Sequence, residues 1–242
     1  MRLHLLALAV LLPAPLTAQD SVPAPPRPWA FTADLGYVVT SGNADLQTLN
    51  AGDKLTYDPG SPWRFTQTFT WVYSQSEDET EANQMGGGLR ADYDFTDRIS
   101  AYVLGAFFRD PFAGISRRFS EGIGLGYKPI LAPRDTLALE AGMSFIQERN
   151  VLDVERQYAA ARLAGLYKHV LKAGAWITLG GQLLPNLDDS DDLRADAEAA
   201  LVAPLSTHLA VKVGYLVRYD GQPEPGFEET DTVFTTGLQV NY

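Results

Sequence analysis

The stretch WRFTQTFTWVYS, residues 63–74, alternates almost without interruption between large apolar and polar side chains. One face of this segment carries the aromatic residues Trp63, Phe65, Phe69, Trp71 and Tyr73. The opposite face carries Arg64, Thr66, Thr68, Thr70 and Ser74. A helix scatters residues at this spacing around its circumference, whereas a strand sorts them onto two faces. The stretch therefore predicts a β-strand with one apolar and one polar face.

The same alternation recurs from Trp29 onward, in segments that are separated by turn-forming residues. Segments of about ten residues with this pattern are typical of outer-membrane β-barrels, in which termini at one end require an even strand number. The spacing predicts about twelve strands. The mean hydropathy of −0.11 resembles that of a soluble protein. It is also compatible with a barrel, because only alternate residues of each strand meet lipid.

A soluble sandwich or a lipocalin-like barrel would also alternate, with its apolar face turned inward. Two features favour the membrane barrel. The polar face combines charges of both signs with many glycines, as a hydrated lumen would, and aromatic residues concentrate towards the segment ends, as interfacial girdles require. These aromatic residues are Trp29, Tyr57, Trp63, Tyr73, Tyr93, Tyr127, Tyr167, Tyr219 and Tyr242. The sequence thus predicts an all-β fold, a closed antiparallel transmembrane β-barrel over residues 29–242.

The polar face supplies the candidate functional residues, which would line the lumen. They are Asp34, Arg64, Arg90, Asp92, Asp94, Glu140, Arg162, Arg194, Asp196, Glu198, Lys212 and Arg218. Two hypotheses follow. Either the mixed-charge lumen conducts ions or small solutes with weak selectivity, or the same side chains interlock and close the bore. The second case would leave a structural or adhesive envelope protein acting through its acidic loops. About twelve strands lies between plugged eight-stranded barrels and open porins, so size alone does not decide.

Some residues fit the pattern poorly. Asp53 and Glu121 would face lipid, while Tyr102, Leu104 and Phe108 would point inward. Either a β-bulge shifts the phase of the alternation, or the two carboxylates lie near the membrane boundary.

The N-terminus has the order of a secretory signal peptide over residues 1–18, with one positive charge, an apolar run and a small-residue cleavage region. Residues 19–28 contain four prolines among ten residues. We expect an extended periplasmic tail there, because proline cannot occupy a helix interior or a central strand. These features predict export to the outer membrane of a Gram-negative-type bacterium.

The net charge of −11 argues against nucleic acid as a partner, and the absence of cysteine excludes disulfides and thiolate metal sites.

Short turns alternate with longer acidic connections at residues 76–81, 148–155, 187–192 and 220–231. The acidic ones would lie outside the cell. Clustered carboxylates are typical of divalent-cation sites, and four occur together here: Asp188, Asp189, Asp191 and Asp192. Their spacing, however, matches no calcium-loop signature. We therefore predict no metal site and no cofactor, and no long loop that folds into the lumen.

An enzyme is not expected. After signal removal only His169 and His208 remain as histidines, and both fall in predicted periplasmic turns, away from a loop-side active site. No catalytic residue is assigned.

The last residues alternate up to a terminal aromatic: Phe234, Leu238, Val240 and Tyr242. This is the form of an outer-membrane assembly signal, so the barrel-assembly machinery is an expected partner during biogenesis. Outer-membrane lipid and lipopolysaccharide are the expected surroundings.

Four stretches resemble the bacterial family labelled salt-induced outer membrane protein, or domain of unknown function four-eight-one. The most specific is RDPFAGISRRFSEGIGLGYKP, residues 109–129. The others are Thr40 to Asn43 with Leu49, then LVAPLSTHL at 201–209, and RYDGQPEPGFEETD at 218–231. The resemblance covers essentially the whole mature chain. It implies an outer-membrane barrel and a link to salt or envelope stress, and it supplies no catalytic residue.

Overall fold

The computed structural model describes residues 28–40, 46–76 and 79–242. The predicted signal peptide and nearly all of the proline-rich tail lie outside these residues. The described residues form twelve β-strands: β1 (Trp29–Thr40), β2 (Leu46–Tyr57), β3 (Trp63–Ser76), β4 (Glu79–Asp94), β5 (Ile99–Asp110), β6 (Ile115–Leu131), β7 (Asp135–Asn150), β8 (Glu155–Val170), β9 (Trp176–Pro185), β10 (Leu193–Pro204), β11 (Leu209–Asp220) and β12 (Thr230–Asn241). Two short 3-10 turns, Pro111–Ala113 and Lys172–Gly174, join β5 to β6 and β8 to β9.

Each strand pairs antiparallel with its neighbours in the chain, and β1 pairs with β12 to close the barrel. The closing pair joins residues 32–35 of β1 to residues 238–241 of β12, so over this stretch neither strand is a free edge. The predicted closed antiparallel barrel of about twelve strands is therefore confirmed. Within the described residues, no helix is long and apolar enough to cross a membrane. We call the barrel end that carries Trp29 and Tyr242 the terminal end, and the opposite end the distal end.

Large apolar side chains cover the outside of the barrel, as the alternation predicts. Leu89, Ile123, Leu125 and Met143 are all more than half exposed, although they lie within strands. The buried apolar core is small by comparison, and its main cluster is Ile146, Tyr158 and Ala160, with Leu184 packed against it. The apolar residues thus point outward and most of the polar ones point inward.

Aromatic residues form a belt around the terminal end. Trp29 stacks on Tyr57 at 4.1 Å between ring centroids. Trp63 and Tyr93 meet edge to face at 5.1 Å, and Tyr93 in turn contacts Phe95 at 5.2 Å. These rings come from β1 to β4 and from the turn after β4. Such a belt is the expected arrangement at a membrane–water interface.

The residues that fit the sequence pattern poorly lie where unbroken alternation places them. The register of β4 with β5 runs without a shift from Ser100 to Arg109, so Tyr102 points inward and is 1% exposed. Glu121 is on the outer face, where the Gln147 amide donates to its carboxylate at 3.4 Å. Asp53 pairs in register with Phe69, also on the outer face. The prediction of a phase-shifting bulge is therefore wrong for Asp53, Tyr102 and Glu121, and the register shift of β5 with β6 comes only after Phe108.

The distal connections differ from the predicted loops. The acidic segment 76–81 is mostly strand, since β3 reaches Ser76 and β4 begins at Glu79. Likewise, β7 continues to Asn150 and β8 begins at Glu155, which leaves a four-residue turn between them. Long strands carry these charges beyond the apolar belt. Residues 221–229 remain as a long connection between β11 and β12.

Candidate functional site in the barrel lumen

All the predicted lumen residues lie on the inner face of the barrel, because they share the inward phase of their strands. Of the twelve, only Glu198 has no ion pair with another described residue; the others pair across the lumen or along its wall. Near the terminal end Arg64 contacts Asp94 at 3.2 Å. On another part of the wall, Lys212 contacts Asp34 at 2.8 Å. The interior is thus a network of charges, not an apolar core.

A central cluster of ion pairs bridges β4, β5, β7 and β8. Arg90 pairs with Asp92 at 2.7 Å and with Glu140 at 2.8 Å. Arg162 approaches the same Glu140 carboxylate at 2.6 Å. The ring of Tyr102 lies 4.3 Å from the Arg90 guanidinium carbon, and its hydroxyl accepts from Arg162 at 2.9 Å. Both arginines are therefore held by a shared carboxylate and a shared aromatic ring.

Two glycines make room for this tyrosine. A Cβ on Gly124 would lie 2.5 Å from the Tyr102 hydroxyl oxygen, and one on Gly142 would lie 2.7 Å from it. Both glycines also face the backbone of the neighbouring strand closely. The small residues on β6 and β7 thus let a large side chain fill the bore.

A second cluster, towards the distal end, is centred on Glu148. This carboxylate hydrogen-bonds with Arg118 and lies 3.1 Å from Arg194. Arg194 also contacts Asp220 at 3.1 Å and donates to the Tyr158 hydroxyl. The sequence interpretation placed Glu148 in an outer loop and Asp220 at a loop boundary, and so missed this cluster. The signal was present, because all five residues continue the inward phase of their strands.

Arg218 crosses the middle of the bore. Its guanidinium carbon lies 4.8 Å from the ring centroid of Phe108 on β5, which is halfway around the barrel wall from β11. Its ion pair with Asp196 is the longest in the lumen, at 3.9 Å. Its Nη1 atom is buried without a hydrogen-bond partner. Arg218 is thus loosely held compared with the other lumen arginines.

Three lumen cavities meet at Arg218. The distal chamber, of about 330 Å³, lies among Phe108, Arg118 and Arg194. A second cavity of about 410 Å³ extends along β7 to β10 past Glu140. The third, of about 150 Å³, lies towards β1 to β3 and β12 and includes Lys212. Arg218 is common to the linings of all three, so its side chain lies at their junction.

The connection 221–229, which we call the mouth loop, folds over the distal opening. Glu224 pairs with Arg156 of β8 at 2.8 Å. A Cβ on Gly114, beyond β5 on the opposite wall, would lie 3.2 Å from the ring of Phe227. Pro223 lines the distal chamber from this loop. The loop therefore covers the distal opening, a position that the sequence analysis does not predict. The loop has no period-two signal that indicates its path.

The acidic connection before β10 is held by its own hydrogen bonds. Asp192 accepts from the Asn186 side chain at 2.9 Å, and the Asp191 amide donates to Asp189 at 3.1 Å.

At the terminal end, His169 lies in β8 itself and contacts Asp135 at 2.8 Å. In the described ranges, no three His, Cys, Asp or Glu side chains form a group suited to a metal ion.

The residues of the predicted assembly signal lie on or just after β12, and their side chains face outward. Phe234, Leu238, Val240 and Tyr242 are all exposed. Their recognition during assembly remains a prediction.

These features define the chain as a twelve-stranded barrel of the outer-membrane type, with a charged and partly bridged lumen. Residues 33–242 match the family described as "Protein of unknown function, DUF481", and the chain belongs to that family. The sequence is 22% identical over 229 residues to "Uncharacterized protein YdiY" of Escherichia coli (strain K12), which covers 92% of this chain and 86% of that protein.

Solved structures with a similar fold are outer-membrane barrels. One is described as "NanC porin", with a TM-score of 0.50, 8% identity, and coverage of 87% of this chain and 97% of that one. Another is the translocator domain of the autotransporter NalP from Neisseria meningitidis, with a TM-score of 0.49 and 12% identity over 88% of this chain and 86% of that one. At such identities the likeness concerns the fold alone.

Proposed function

We propose that this protein is a narrow outer-membrane pore for small hydrophilic solutes or ions, closed at rest by lumen side chains and the mouth loop. The observation that carries the proposal is the position of Arg218 at the junction of three lumen cavities, in the longest ion pair of the lumen. A side-chain movement there would join the distal chamber to the other two cavities. Charges of both signs along such a path would give weak selectivity.

The proposed location is the outer membrane, with the terminal end facing the periplasm and the mouth loop outside. The outward apolar face, the aromatic belt and the signal-like N-terminus support it. In this setting the outer face contacts lipid and lipopolysaccharide, and the assembly machinery recognises the C-terminal strand. We assign no enzymatic activity.

The alternative is a permanently plugged barrel with a structural or adhesive role. The observations that favour it are the two ion-pair clusters and the mouth loop, which all cross the bore. Its working surface would be the distal end, with the acidic connections that surround the mouth loop.

Planar-bilayer recording of the purified full chain distinguishes the two. A pore gives discrete conductance steps above background, and Arg218→Ser enlarges them or makes them more frequent, because the partition between the cavities is gone. Glu198→Gln is the control, since Glu198 lines two of the same cavities but has no ion pair within the described part of the chain. Silence of both the wild type and Arg218→Ser across salts and voltages contradicts the pore and favours the plugged barrel.

The link to salt or envelope stress rests on the sequence resemblance. It predicts that a strain lacking the gene grows more slowly than its parent at raised salt concentration, and that re-expression restores growth. Equal growth of the two strains over a range of salt concentrations contradicts the link.

A further inference from the structure

The distal chamber has the size and lining of a small-molecule site. Its volume of about 330 Å³ lies at the lower end of the range for ligand cavities. Leu104, Phe108, Ile146 and Leu184 give it an apolar wall. The lining also includes four arginines and five carboxylates, together with polar side chains such as Ser144 and Gln182. It lies between the central ion-pair cluster and the mouth loop, so a molecule inside it would be largely enclosed.

The arginines of the chamber offer donors that the protein does not use. Arg118 and Arg218 both approach the ring of Phe108, at 5.8 Å and 4.8 Å from its centroid. The Arg118 Nη2 and Arg218 Nη1 atoms are buried without hydrogen-bond partners, although Arg118 Nη2 lies 3.7 Å from an Asp220 carboxylate oxygen. An unsatisfied buried donor is costly, and an oxyanion is the acceptor that guanidinium groups bind best.

Several carboxylates of the chamber, by contrast, are already occupied. Asp110 accepts from the Gln84 amide at 2.6 Å. Asp196 accepts from the Gln182 amide at 2.6 Å. Asp220 is held by Arg194 at 3.1 Å. These hydrogen bonds and ion pairs occupy the carboxylates, and the contact of Asp220 with Arg118 Nη2, at 3.7 Å, is longer than a hydrogen bond.

Two further carboxylates line the chamber near the mouth loop, Glu228 and Asp231. Neither side-chain carboxylate has a hydrogen bond within the described residues. They lie on the side of the chamber from which β12 begins, and they suit hydroxyl or ammonium donors on a bound molecule. The chamber thus presents free donors and free acceptors together.

We infer that the distal chamber binds a small organic oxyanion, a carboxylate or a phosphate monoester, that also carries hydroxyl groups. Arg118 and Arg218 hold the oxyanion beside Phe108. The apolar wall contacts the carbon skeleton, while Asp231 and Glu228 accept from the hydroxyls. This inference deepens the proposed function by naming the solute class, and it rests on the pore only for the route of entry and exit.

Isothermal titration of the full chain in detergent tests the inference with matched pairs of probes. Gluconate is compared with sorbitol, and glycerol 3-phosphate with glycerol, so each pair differs chiefly in the oxyanion. We expect an oxyanion to bind at least about tenfold more tightly than its alcohol, as one or more charge-assisted hydrogen bonds would give. The tighter of the two oxyanions identifies the carboxylate or phosphate source. Equal binding within both pairs, or no binding of either oxyanion, overturns the inference.

Variants then locate the site. Arg118→Gln and Arg218→Gln should each weaken oxyanion binding by about tenfold. Arg64→Gln, a lumen arginine far from the chamber, should leave binding unchanged. A change in gel migration on heating shows that each variant is folded. If Arg218→Gln does not fold, Arg218→Lys is used as the milder substitution. Unchanged binding in folded Arg118 and Arg218 variants overturns the inference.

The outcomes separate this inference from the pore. Oxyanion binding together with silent bilayers contradicts conduction but keeps the site. Conductance steps that gluconate and glycerol 3-phosphate neither block nor alter, with no binding by titration, contradict the site but keep the pore.

Discussion

Glu148 is a single carboxylate between two arginines, Arg118 and Arg194, and it is 7% exposed. Loss of one partner from a buried ion pair leaves the remaining charges poorly compensated. We predict that Glu148→Ala lowers the free energy of unfolding by about 3 kcal/mol. Urea-induced unfolding in lipid vesicles, followed by tryptophan fluorescence, measures the change.

Glu198→Ala is the control for this prediction, since Glu198 is an exposed lumen carboxylate that forms no ion pair with the residues the structure describes. Its unfolding should differ little from that of the wild type. Equal destabilisation by the two substitutions would show that the lumen is too well hydrated for the network to contribute to stability.

At the level of the single residue, the sequence predicts whether a side chain points into or out of the barrel, but not which residue it contacts. Alternation correctly places Arg90 and Glu140 on one face, because inward and outward positions follow from a period of two. It does not reveal that these residues meet, since they are 50 positions apart and their contact depends on register and barrel closure. Tyr102 illustrates the same limit. Its inward position goes against the alternation of apolar and polar residues, and only the structure shows that Gly124 and Gly142 leave space for its ring.

Among the elements, the strands are predictable and the mouth loop is not. Each strand has a repeating pattern that fixes its faces, and turn residues mark its ends. The path of residues 221–229 depends instead on a few distant contacts, such as Glu224 with Arg156. The strand extensions near 76–81 were missed for another reason. Acidic residues are typical of loops, yet the long hairpins here carry them outside the apolar belt.

The mouth loop should control access to the distal chamber. The chain has no cysteine, so Ser144→Cys introduces a single thiol in the chamber lining. We predict that adding Glu224→Ala speeds its modification by a charged thiol reagent about twofold to fivefold, because one ion pair that holds the loop is lost. The rate is followed by mass spectrometry on barrels in vesicles.

Glu229→Ala provides the comparison, because Glu229 belongs to the same loop and its side chain has no ion pair within the described residues. Its modification rate should match that of Ser144→Cys alone. An identical rate in all three proteins would show that the loop does not limit entry.

For the molecule as a whole, the decisive property is which exposed residues face lipid and which face water. Ile123, in the middle of β6, is 63% exposed, and Leu152, in the distal turn after β7, is 67% exposed. We predict that Ile123→Arg lowers the free energy of unfolding in vesicles by about 2–4 kcal/mol, whereas Leu152→Arg changes it by less than about 1 kcal/mol. The same urea titration measures both. Similar effects at the two sites would mean that the apolar belt does not lie in hydrocarbon.

The ion pairs that span the lumen have a mechanical consequence for the entire molecule. Arg90 joins β4 to β7 and Arg194 joins β10 to β7 through ion pairs, whereas Arg218 reaches β5 only through the ring of Phe108. These ion pairs connect separate parts of the barrel wall and therefore resist widening or flattening of the barrel. Widening of the proposed pore must therefore come from the rotation of individual side chains. The resting diameter of its open space depends on the ion pairs as well as on the number of strands.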